Sequence, residues 1–272
     1  MKIGLIAGGG QFPLLFTQKA SQKGYEVVAI GFHSETDKAM VRHVSHFKWL
    51  YLGQISKMVK YFKAHGISQA VMLGSIKKTN IFKDIRPDLK ALAFIARTSR
   101  THDDTILSSF ADLLLQEGIE IKPSTFLLPE LISRKGCWTK RKPDKAEKKD
   151  IYQGWKLAKE IGKLDIGQCI VISNGTVLAV EAIDGTDATI RRGAGLAHGN
   201  PSVVVKLSKP GQDFRFDLPS SGLETIQTMK KSGATVLALE ADKSIAFDKK
   251  EMISAADNHG ISIIALTDED IP

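Results

Sequence analysis

Short apolar runs alternate with stretches of helical periodicity through the first half of the chain, and this alternation constrains the fold more than any other feature. Amphipathic stretches that start at Phe12 and Ile55 end before Gly24 and Gly66, as helices commonly do. The apolar runs have the length and composition of buried strands, and they cover residues 2–7, 26–31, 47–52 and 69–74. We therefore expect an α/β protein built on a parallel, doubly wound sheet.

A polar and basic stretch interrupts this pattern at residues 134–150, and from Arg134 to Lys149 eight Lys and Arg residues stand against Asp144 and Glu147. Beyond it the α/β character returns with a helix predicted at 151–161. A hairpin follows, because Asn-Gly between two apolar runs is a strong turn signal. We expect an N-terminal domain of residues 1–133, a basic linker of residues 134–150 and a C-terminal α/β domain of residues 151–272.

The chain carries a formal net charge of +8, which favours anionic partners. Two interpretations of the basic stretch stay open: a solvated linker, or a patch that contacts anionic lipid head groups. Aromatic residues are sparse there, so we expect no nucleic-acid partner. No secretory signal is recognisable and no apolar run is long enough to span a bilayer, so a cytoplasmic protein is expected.

Three glycines, Gly8, Gly9 and Gly10, separate the first predicted strand from the first predicted helix. Such a turn lets the backbone approach a phosphate and directs helix N–H groups towards it, but it is equally compatible with a tight turn that binds nothing. Asp103 and Asp104 open a later helix, where one carboxylate suffices as a cap and the second could face a cleft.

Three carboxylates, Glu181, Asp184 and Asp187, lie within seven residues at a predicted strand end. Ligands collect at strand ends in α/β sheets, and carboxylates beside substrate phosphate suit Mg²⁺. The alternative is that Thr186 or Asp187 only caps the following helix.

The segment from Lys206 to Gly222 is unusually charged for a connection between a strand and a helix. Cations beside carboxylates are what a phosphoryl-transfer site requires, although a salt-bridged surface loop would show the same composition. Its charged residues include Lys206, Lys209, Asp213, Arg215 and Asp217.

Several enzyme classes lack their signatures. Pro13 stands where a dinucleotide-binding fingerprint has glycine, and neither a phosphate-binding P-loop nor a nucleophile elbow occurs. The histidines show no metal-ligand spacing.

Five motifs in series resemble one known family over essentially the whole chain. They are Gly4–Pro13, Asp103–Asp104, Leu164–Gln168, Val180–Asp187 and Lys209–Pro219. The family is the UDP-2,3-diacylglucosamine pyrophosphatases of lipid A biosynthesis that are unrelated in sequence to the calcineurin-like enzymes of the same step. Two departures are His102, where glycine commonly precedes the aspartate pair, and Ser220-Ser221-Gly222 in place of Thr-Ile-Gly.

The resemblance implies a Rossmann-like N-terminal domain, a C-terminal α/β domain and substrate between them. It implies Mg²⁺-dependent attack of water on the α-phosphorus, which releases UMP and 2,3-diacylglucosamine 1-phosphate. The residues expected in catalysis are Asp217, Asp213 and Asp187, and those expected to bind the metal are Asp217, Asp187 and Glu181. Those expected to bind substrate are Gly8, Gly9, Gly10, Gln11, Phe12, Asp104, Thr186, Lys206, Lys209, Gln212 and Arg215.

The resemblance also implies transient contact with the cytoplasmic face of the inner membrane and association into a homodimer. Two rival functions remain: a nucleotide-dependent oxidoreductase, and a non-catalytic nucleotide-sugar-binding protein that uses the basic stretch to sit on a membrane. Reversing the charges of Lys140, Arg141 and Lys142 would abolish partner binding under the second rival.

Overall fold

The computed structural model describes residues 1–76, 85–98, 103–216 and 218–272, without the side chains of 97–98 and 103–105. The chain forms two compact units. Unit 1 contains residues 1–129 and 213–217, and unit 2 contains residues 130–212 and 218–272. Among the described residues, no helix combines the length and apolar character needed to cross a lipid bilayer.

Unit 1 is built on a five-stranded parallel sheet of order β3-β2-β1-β4-β5, the order of a Rossmann-like sheet. Its strands are β1 (Lys2–Ala7), β2 (Glu26–Phe32), β3 (His46–Leu50), β4 (Gln69–Leu73) and β5 (Glu120–Ile121). Its described helices are α1 (Phe12–Gln22), α2 (Ile55–Ala64), α3 (Leu89–Thr98) and α4 (Asp103–Gln116). The predicted parallel α/β fold is confirmed for this unit.

Unit 2 contains a six-stranded mixed sheet of order β6-β13-β11-β9-β7-β8 and a small parallel pair, β10 with β12. The strands are β6 (Gly136–Cys137), β7 (Cys169–Ser173), β8 (Thr176–Val180), β9 (Val203–Lys206), β10 (Ser220–Ser221), β11 (Val236–Glu240), β12 (Ile245–Ala246) and β13 (Ser262–Leu266). The helices are α5 (Lys145–Lys163), α6 (Thr186–Leu196), α7 (Leu223–Ser232) and α8 (Lys249–Asn258).

Both faces of the unit 2 sheet are covered, which explains why its strands read as continuous apolar runs. Alternate residues of a strand point to opposite faces. Leu237 and Leu239 of β11 therefore join the core beside α6, α7 and α8, whereas Val236 and Ala238 join the core beside α5.

The basic stretch expected as a linker, residues 134–150, lies within unit 2. It supplies strand β6 and the start of α5, so the division between the units falls near residue 130. The prediction that the next helix begins at Ile151 is wrong, because a capping box starts it at Lys145. The Asp144 carboxylate accepts from the Glu147 N–H, and the Glu147 carboxylate accepts from the Asp144 N–H.

The end predicted for this helix at Gly162 is also wrong, since α5 continues to Lys163. Gly162 is buried, and a Cβ there would lie 3.2 Å from the Pro210 ring, so close packing accounts for the glycine. The predicted Asn174-Gly175 hairpin is confirmed. Both residues have positive φ, and the Asp150 carboxylate accepts their two N–H groups at 2.8 and 2.7 Å.

Helix α6 offers a matched test of how closely it packs against β7. A Cβ on Gly193 would lie 2.5 Å from the Val171 Cβ, whereas Gly195 faces open space. We expect Gly193→Ala to lower the free energy of unfolding by about 1–3 kcal/mol through overpacking. Gly195→Ala should raise it by about 0.4–1 kcal/mol, because alanine restricts the unfolded chain. Urea denaturation measures both, and equal effects of the two substitutions would contradict this packing.

Candidate functional site

A cleft of about 370 Å³ opens in unit 2 at the N-terminus of α6. Backbone N–H groups and the positive end of the helix dipole make such a position favourable for an anion. The cleft is lined by Asp184, Gly185, Thr186, Asp187, Ala188, Arg191, Lys206, Ser220 and Thr225. Three predicted site residues, Thr186, Asp187 and Lys206, therefore meet here.

The fourth predicted residue, Glu181, lies directly beside the cleft. It follows β8 and is only 8% exposed. Its Oε1 atom accepts a hydrogen bond from the Thr186 hydroxyl at 3.0 Å, whereas its buried Oε2 atom has no hydrogen-bond partner among the described residues. A buried carboxylate oxygen without a partner is costly unless something outside the chain binds it.

Lys206 places a buried cation in the same cleft. It is the last residue of β9, and strand alternation directs it towards the face that α6 and α7 cover, where Val204 packs in the core. The side chain is 6% exposed, and its ammonium donates to the Ser220 carbonyl at 2.6 Å. Ser220 belongs to β10, so the small β10–β12 sheet holds the acceptor of this bond in place.

Cys169 lies next to Lys206 in the sheet but is not a chemical participant. Burial raises the pKa of the thiol strongly, and the nearby Glu181 carboxylate raises it further. The group therefore stays a neutral thiol, which is neither a nucleophile nor a metal ligand. It packs as a small apolar residue in the core.

The donor set at the cleft fits a hard divalent cation in part. The unpartnered Oε2 atom of Glu181 and the carboxylate of Asp187 are oxygen ligands of the kind that Mg²⁺ takes together with water and substrate phosphate. No group of three metal-binding His, Cys, Asp or Glu side chains occurs within the described residues. Asp217, the third ligand implied by the resemblance, lies outside them.

Lys209 and Gln212 are held within the loop after β9. The Lys209 ammonium donates to Asp165 Oδ1 at 2.7 Å. The Gln212 side-chain carbonyl accepts from the Lys209 N–H and from the Ser208 hydroxyl. Neither residue lines the cleft around Lys206. Their contacts shape the loop, and their predicted role in substrate binding stays a prediction.

Asp213 and Arg215 belong to unit 1, unlike the residues of the cleft. The Arg215 guanidinium donates to both carboxylate oxygens of Asp213 at 2.6–3.0 Å, and the Ser108 hydroxyl donates to Oδ2 at 3.1 Å. Burial works to raise the pKa of Asp213, but these hydrogen bonds outweigh it and hold the pKa below its usual value. The pair forms a salt bridge, as the alternative interpretation of the loop expected, and its predicted part in the chemistry is untested.

The glycine turn after β1 packs closely against the end of β4. The Gly8 N–H donates to the Leu73 carbonyl at 2.7 Å, and the Gly9 N–H donates to the Ser75 carbonyl at 2.8 Å. A Cβ on Gly8 would lie 2.7 Å from the Ser75 oxygen, so the turn requires glycine there. Substrate binding by Gly8, Gly9, Gly10, Gln11 and Phe12 remains a prediction.

The structure does not describe the side chains of two predicted site residues, Asp104 and Asp217. Asp104 lies at the start of α4, but its side chain is outside the description, and Asp217 is outside the described residues altogether. Their functional roles stay predictions of the resemblance.

The structure adds site residues that the sequence reasoning missed. Arg191 lines the cleft one helical turn after Asp187, and this spacing of four residues could have revealed it. Ser220 and Thr225 complete the lining, and the neighbouring Ser221 hydroxyl is buried without a hydrogen-bond partner among the described residues. The unusual Ser220-Ser221 pair was a visible signal, but its meaning depends on tertiary structure.

Comparison with known proteins places both units in one family. The N-terminal domain model of LpxI matches residues 2–131, and the C-terminal domain model of LpxI matches residues 134–264. A UDP-2,3-diacylglucosamine pyrophosphatase LpxI from Caulobacter vibrioides is 31% identical over 281 aligned positions, covering 100% of this chain and 99% of the relative.

A solved structure gives only a slight likeness. The biotin carboxylase domain dimer of Hydrogenobacter thermophilus 2-oxoglutarate carboxylase is 15% identical and covers 64% of this chain and 35% of its own, with a TM-score of 0.26. A likeness of this extent carries no argument about fold or function.

The Asp213–Arg215 pair predicts a pH-dependent contribution to stability. A carboxyl group whose pKa is lowered by folding stabilises the protein above its unfolded pKa, and this stabilisation is lost as pH falls through the folded value. We expect Asp213→Asn to lower the melting temperature at pH 7. The difference from the wild type should shrink below pH 3.8, the usual pKa of the group.

Glu160→Gln is the control, because Glu160 pairs with Lys163 on the surface and should contribute little. Melting curves from pH 7 down to pH 2 make the comparison. A loss in Asp213→Asn that stays constant across this range would show that the charge is not its cause.

Proposed function

The chain belongs to the LpxI family, and we propose on that premise that it hydrolyses UDP-2,3-diacylglucosamine to 2,3-diacylglucosamine 1-phosphate and UMP in lipid A biosynthesis. Both domain models match in order, and the Caulobacter relative aligns with the full chain. The reaction we propose is attack of water on the α-phosphorus, which breaks the phosphoanhydride bond.

The observation that carries the proposal is the unpartnered buried oxygen of Glu181, which lies directly beside a cleft lined by Lys206 and is linked to it through Thr186. A phosphoanhydride is densely anionic, and its hydrolysis requires positive groups for the phosphoryl oxygens. Carboxylates are required as well, to hold a metal ion or orient the attacking water. The cleft supplies both within one unit.

Each charged group of the cleft has a distinct proposed role. Lys206, fixed by its bond to the Ser220 carbonyl, would neutralise a phosphoryl oxygen, and the N-terminus of α6 would support a second one. Arg191 is exposed and has no ion-pair partner within the described residues, so it is available to bind an outer phosphate oxygen. Asp217 keeps the part given by the resemblance, as metal ligand or as base.

We propose that Glu181 and Asp187 hold Mg²⁺. A bound Mg²⁺ would polarise the phosphoryl group and offset the charge of the departing phosphate. The Thr186 hydroxyl donates a hydrogen bond to Glu181 Oε1. The Oε2 atom, which has no partner among the described residues, is therefore the oxygen that we propose as the metal ligand. The rival assignment to an oxidoreductase loses its support, because the family of the chain is defined by a pyrophosphatase.

Release of UMP from UDP-2,3-diacylglucosamine by the purified protein tests the reaction. We expect release with Mg²⁺, loss of release with EDTA and recovery when Mg²⁺ is added back. Asp217→Ala should abolish it. Glu181→Gln should lower kcat by about 100-fold or more, because loss of a ligand weakens metal binding, and its Mg²⁺ requirement should shift to higher concentration.

Asp242→Asn serves as the matched control, because Asp242 forms an exposed ion pair with Arg134 far from any predicted site residue in sequence. It should keep wild-type kcat. Folded wild-type protein that releases no UMP would overturn the reaction, whereas full activity in EDTA would overturn the metal requirement alone.

We further propose that α5 brings the protein to an anionic membrane surface. Lys145, Lys149 and Lys156 are exposed at a spacing that places them on one side of this helix, and none has an ion-pair partner within the described residues. Each basic residue near an anionic bilayer contributes about 1 kcal/mol. A homodimer is a further proposal, and it rests on the resemblance alone.

Sedimentation with vesicles tests the membrane contact. Wild-type protein should sediment with vesicles that contain phosphatidylglycerol and not with phosphatidylcholine vesicles, and the triple variant Lys145→Glu, Lys149→Glu, Lys156→Glu should stay in solution. Lys230→Glu with Lys231→Glu on α7 is the control, to be compared with the double variant Lys145→Glu, Lys149→Glu, which changes the net charge equally. Equal loss of sedimentation in both double variants would contradict a specific role of α5 in membrane binding.

Arg141 is unsuitable for such charge reversal, although it lies in the basic stretch. Its guanidinium donates to the buried Glu147 carboxylate at 2.6 Å and to the Ser262 hydroxyl at 2.8 Å. Reversing its charge would leave Glu147 buried without its cation and destabilise unit 2. Lys145, Lys149 and Lys156 make no such contact with any residue that the structure describes.

A further inference from the structure

A stack of rings lies at the carboxyl ends of β2 and β3 in unit 1. His33 follows β2, and its ring lies between those of Trp49 and Tyr51, with centroid distances of 5.5 and 4.4 Å. Parallel pairing places His33 beside Tyr51, since the His33 N–H donates to the Leu50 carbonyl. Ligands of doubly wound sheets bind at this edge.

Arg86 extends the stack. Its guanidinium lies 3.7 Å from the centroid of the Tyr51 ring. The backbone holds it there, because the Arg86 N–H donates to the Leu52 carbonyl at 2.8 Å and the Asp88 N–H donates to the Gly53 carbonyl at 3.0 Å. We call Trp49, His33, Tyr51 and Arg86 together the aromatic stack.

The aromatic stack also carries polar atoms, on the His33 ring and on the Arg86 guanidinium. Neither the His33 ring nitrogens nor the Arg86 guanidinium makes a hydrogen bond or an ion pair in the part of the chain that the structure describes. Arg86 is exposed and His33 is half-buried. By contrast, Arg141 and Arg215 both donate to carboxylates. An exposed planar cation with unused donors is suited to a planar polar ligand.

The aromatic stack adjoins the glycine turn along the same edge. The Thr36 hydroxyl donates to the Ala7 carbonyl at the end of β1, and a Cβ on Gly9 would lie 3.0 Å from the Glu35 carbonyl oxygen. The loop that begins at His33 is thus packed against the turn that precedes α1. A nucleotide lying along this edge would have its base near the aromatic stack and its phosphate near the helix N-terminus.

We infer that the aromatic stack binds the nucleobase of the nucleotide substrate, an inference that rests on the proposed function. A base stacks on aromatic rings or on the plane of an arginine guanidinium, and donors at the edge of the stack can bind its carbonyl oxygens. An acyl chain would instead require an apolar surface, which the Arg86 guanidinium does not offer. The ligand class is therefore a nucleotide with its base held by unit 1, and the proposed substrate makes that base a pyrimidine.

Titration calorimetry with UMP and with ribose 5-phosphate separates recognition of the base from recognition of the phosphate. Full-length wild-type protein should bind UMP more tightly than ribose 5-phosphate. Arg86→Gln should weaken UMP binding about tenfold or more, the effect of losing one stacking partner. Tyr51→Leu should also weaken it, because the Tyr51 ring supports the Arg86 guanidinium. Binding of ribose 5-phosphate should stay unchanged, since it has no base.

Arg42→Gln is the control, an exposed arginine of unit 1 whose loss changes the net charge equally. Melting temperatures check that each variant folds, and Arg86→Gln, at an exposed position, is the milder change. Equal weakening for both ligands would reduce Arg86 to a phosphate contact and overturn the inference. Wild-type protein that binds UMP no more tightly than ribose 5-phosphate would also overturn it.

Turnover distinguishes this inference from the proposed function. With UDP-2,3-diacylglucosamine, Arg86→Gln should raise KM about tenfold and leave kcat unchanged. Wild-type hydrolysis with an unaltered KM in Arg86→Gln would overturn the base site and leave the reaction standing. Absence of wild-type hydrolysis would overturn the reaction, while UMP binding would still decide the base site separately.

Discussion

Two buried charged side chains at the carboxyl edge of the unit 2 sheet fix the positions of the segments that follow strand β9. Lys206 ends β9 and Glu240 ends the neighbouring strand β11. Both side chains are buried, and a buried charge is tolerated only when it is paired and hydrogen-bonded. Glu240 receives Lys159 and Lys243 and also accepts the Ser208 N–H at 3.0 Å. Lys206 donates to the Ser220 carbonyl. These bonds hold the loop after β9 at one end and β10 at the other, and the cleft lies between Lys206 and α6.

Two of the buried glutamates of unit 2, Glu181 and Glu240, differ in how completely the chain satisfies their carboxylate oxygens. Both carboxylate oxygens of Glu240 have partners, which is how a structural charge is normally retained. Glu181 has only the Thr186 hydroxyl on one oxygen. Leaving a buried carboxylate oxygen unpartnered costs about 1–3 kcal/mol or more. The chain therefore supplies hydrogen-bond partners for both oxygens of Glu240 but for only one oxygen of Glu181, which lies near Lys206. This arrangement is expected where a bound ligand supplies the missing partner.

The fold was predictable because strand and helix periodicity are local. Helices α1 and α2 begin at Phe12 and Ile55 as predicted, and the Asn174-Gly175 turn needed only its own backbone preference. The predicted start of α5 was wrong, because the charged stretch was interpreted from its composition. The spacing of Asp144 and Glu147, which form the capping box, would have placed the start correctly. The hydrogen-bond partners of charged side chains could not be predicted from the sequence, for a different reason. Arg215 binds a carboxylate two residues away, whereas Lys206 binds a carbonyl fourteen residues away, and only the folded chain decides between such options.

Helix α5 distributes the charged residues of the basic stretch over different faces. A count along the sequence treats residues 134–150 as one basic run, but a rotation of about 100° per residue separates the charges by face. Glu147 and Asp150 turn inward, where Arg141 and the hairpin N–H groups bind them. Lys145, Lys149 and Lys156 are exposed. Glu147 and Asp150 are thus removed from the surface, whereas Asp144 stays exposed at the start of the helix. Lys145, Lys149 and Lys156 concentrate positive charge along one side of the helix. This side of the helix therefore presents a cationic surface with a stronger field than its composition alone indicates.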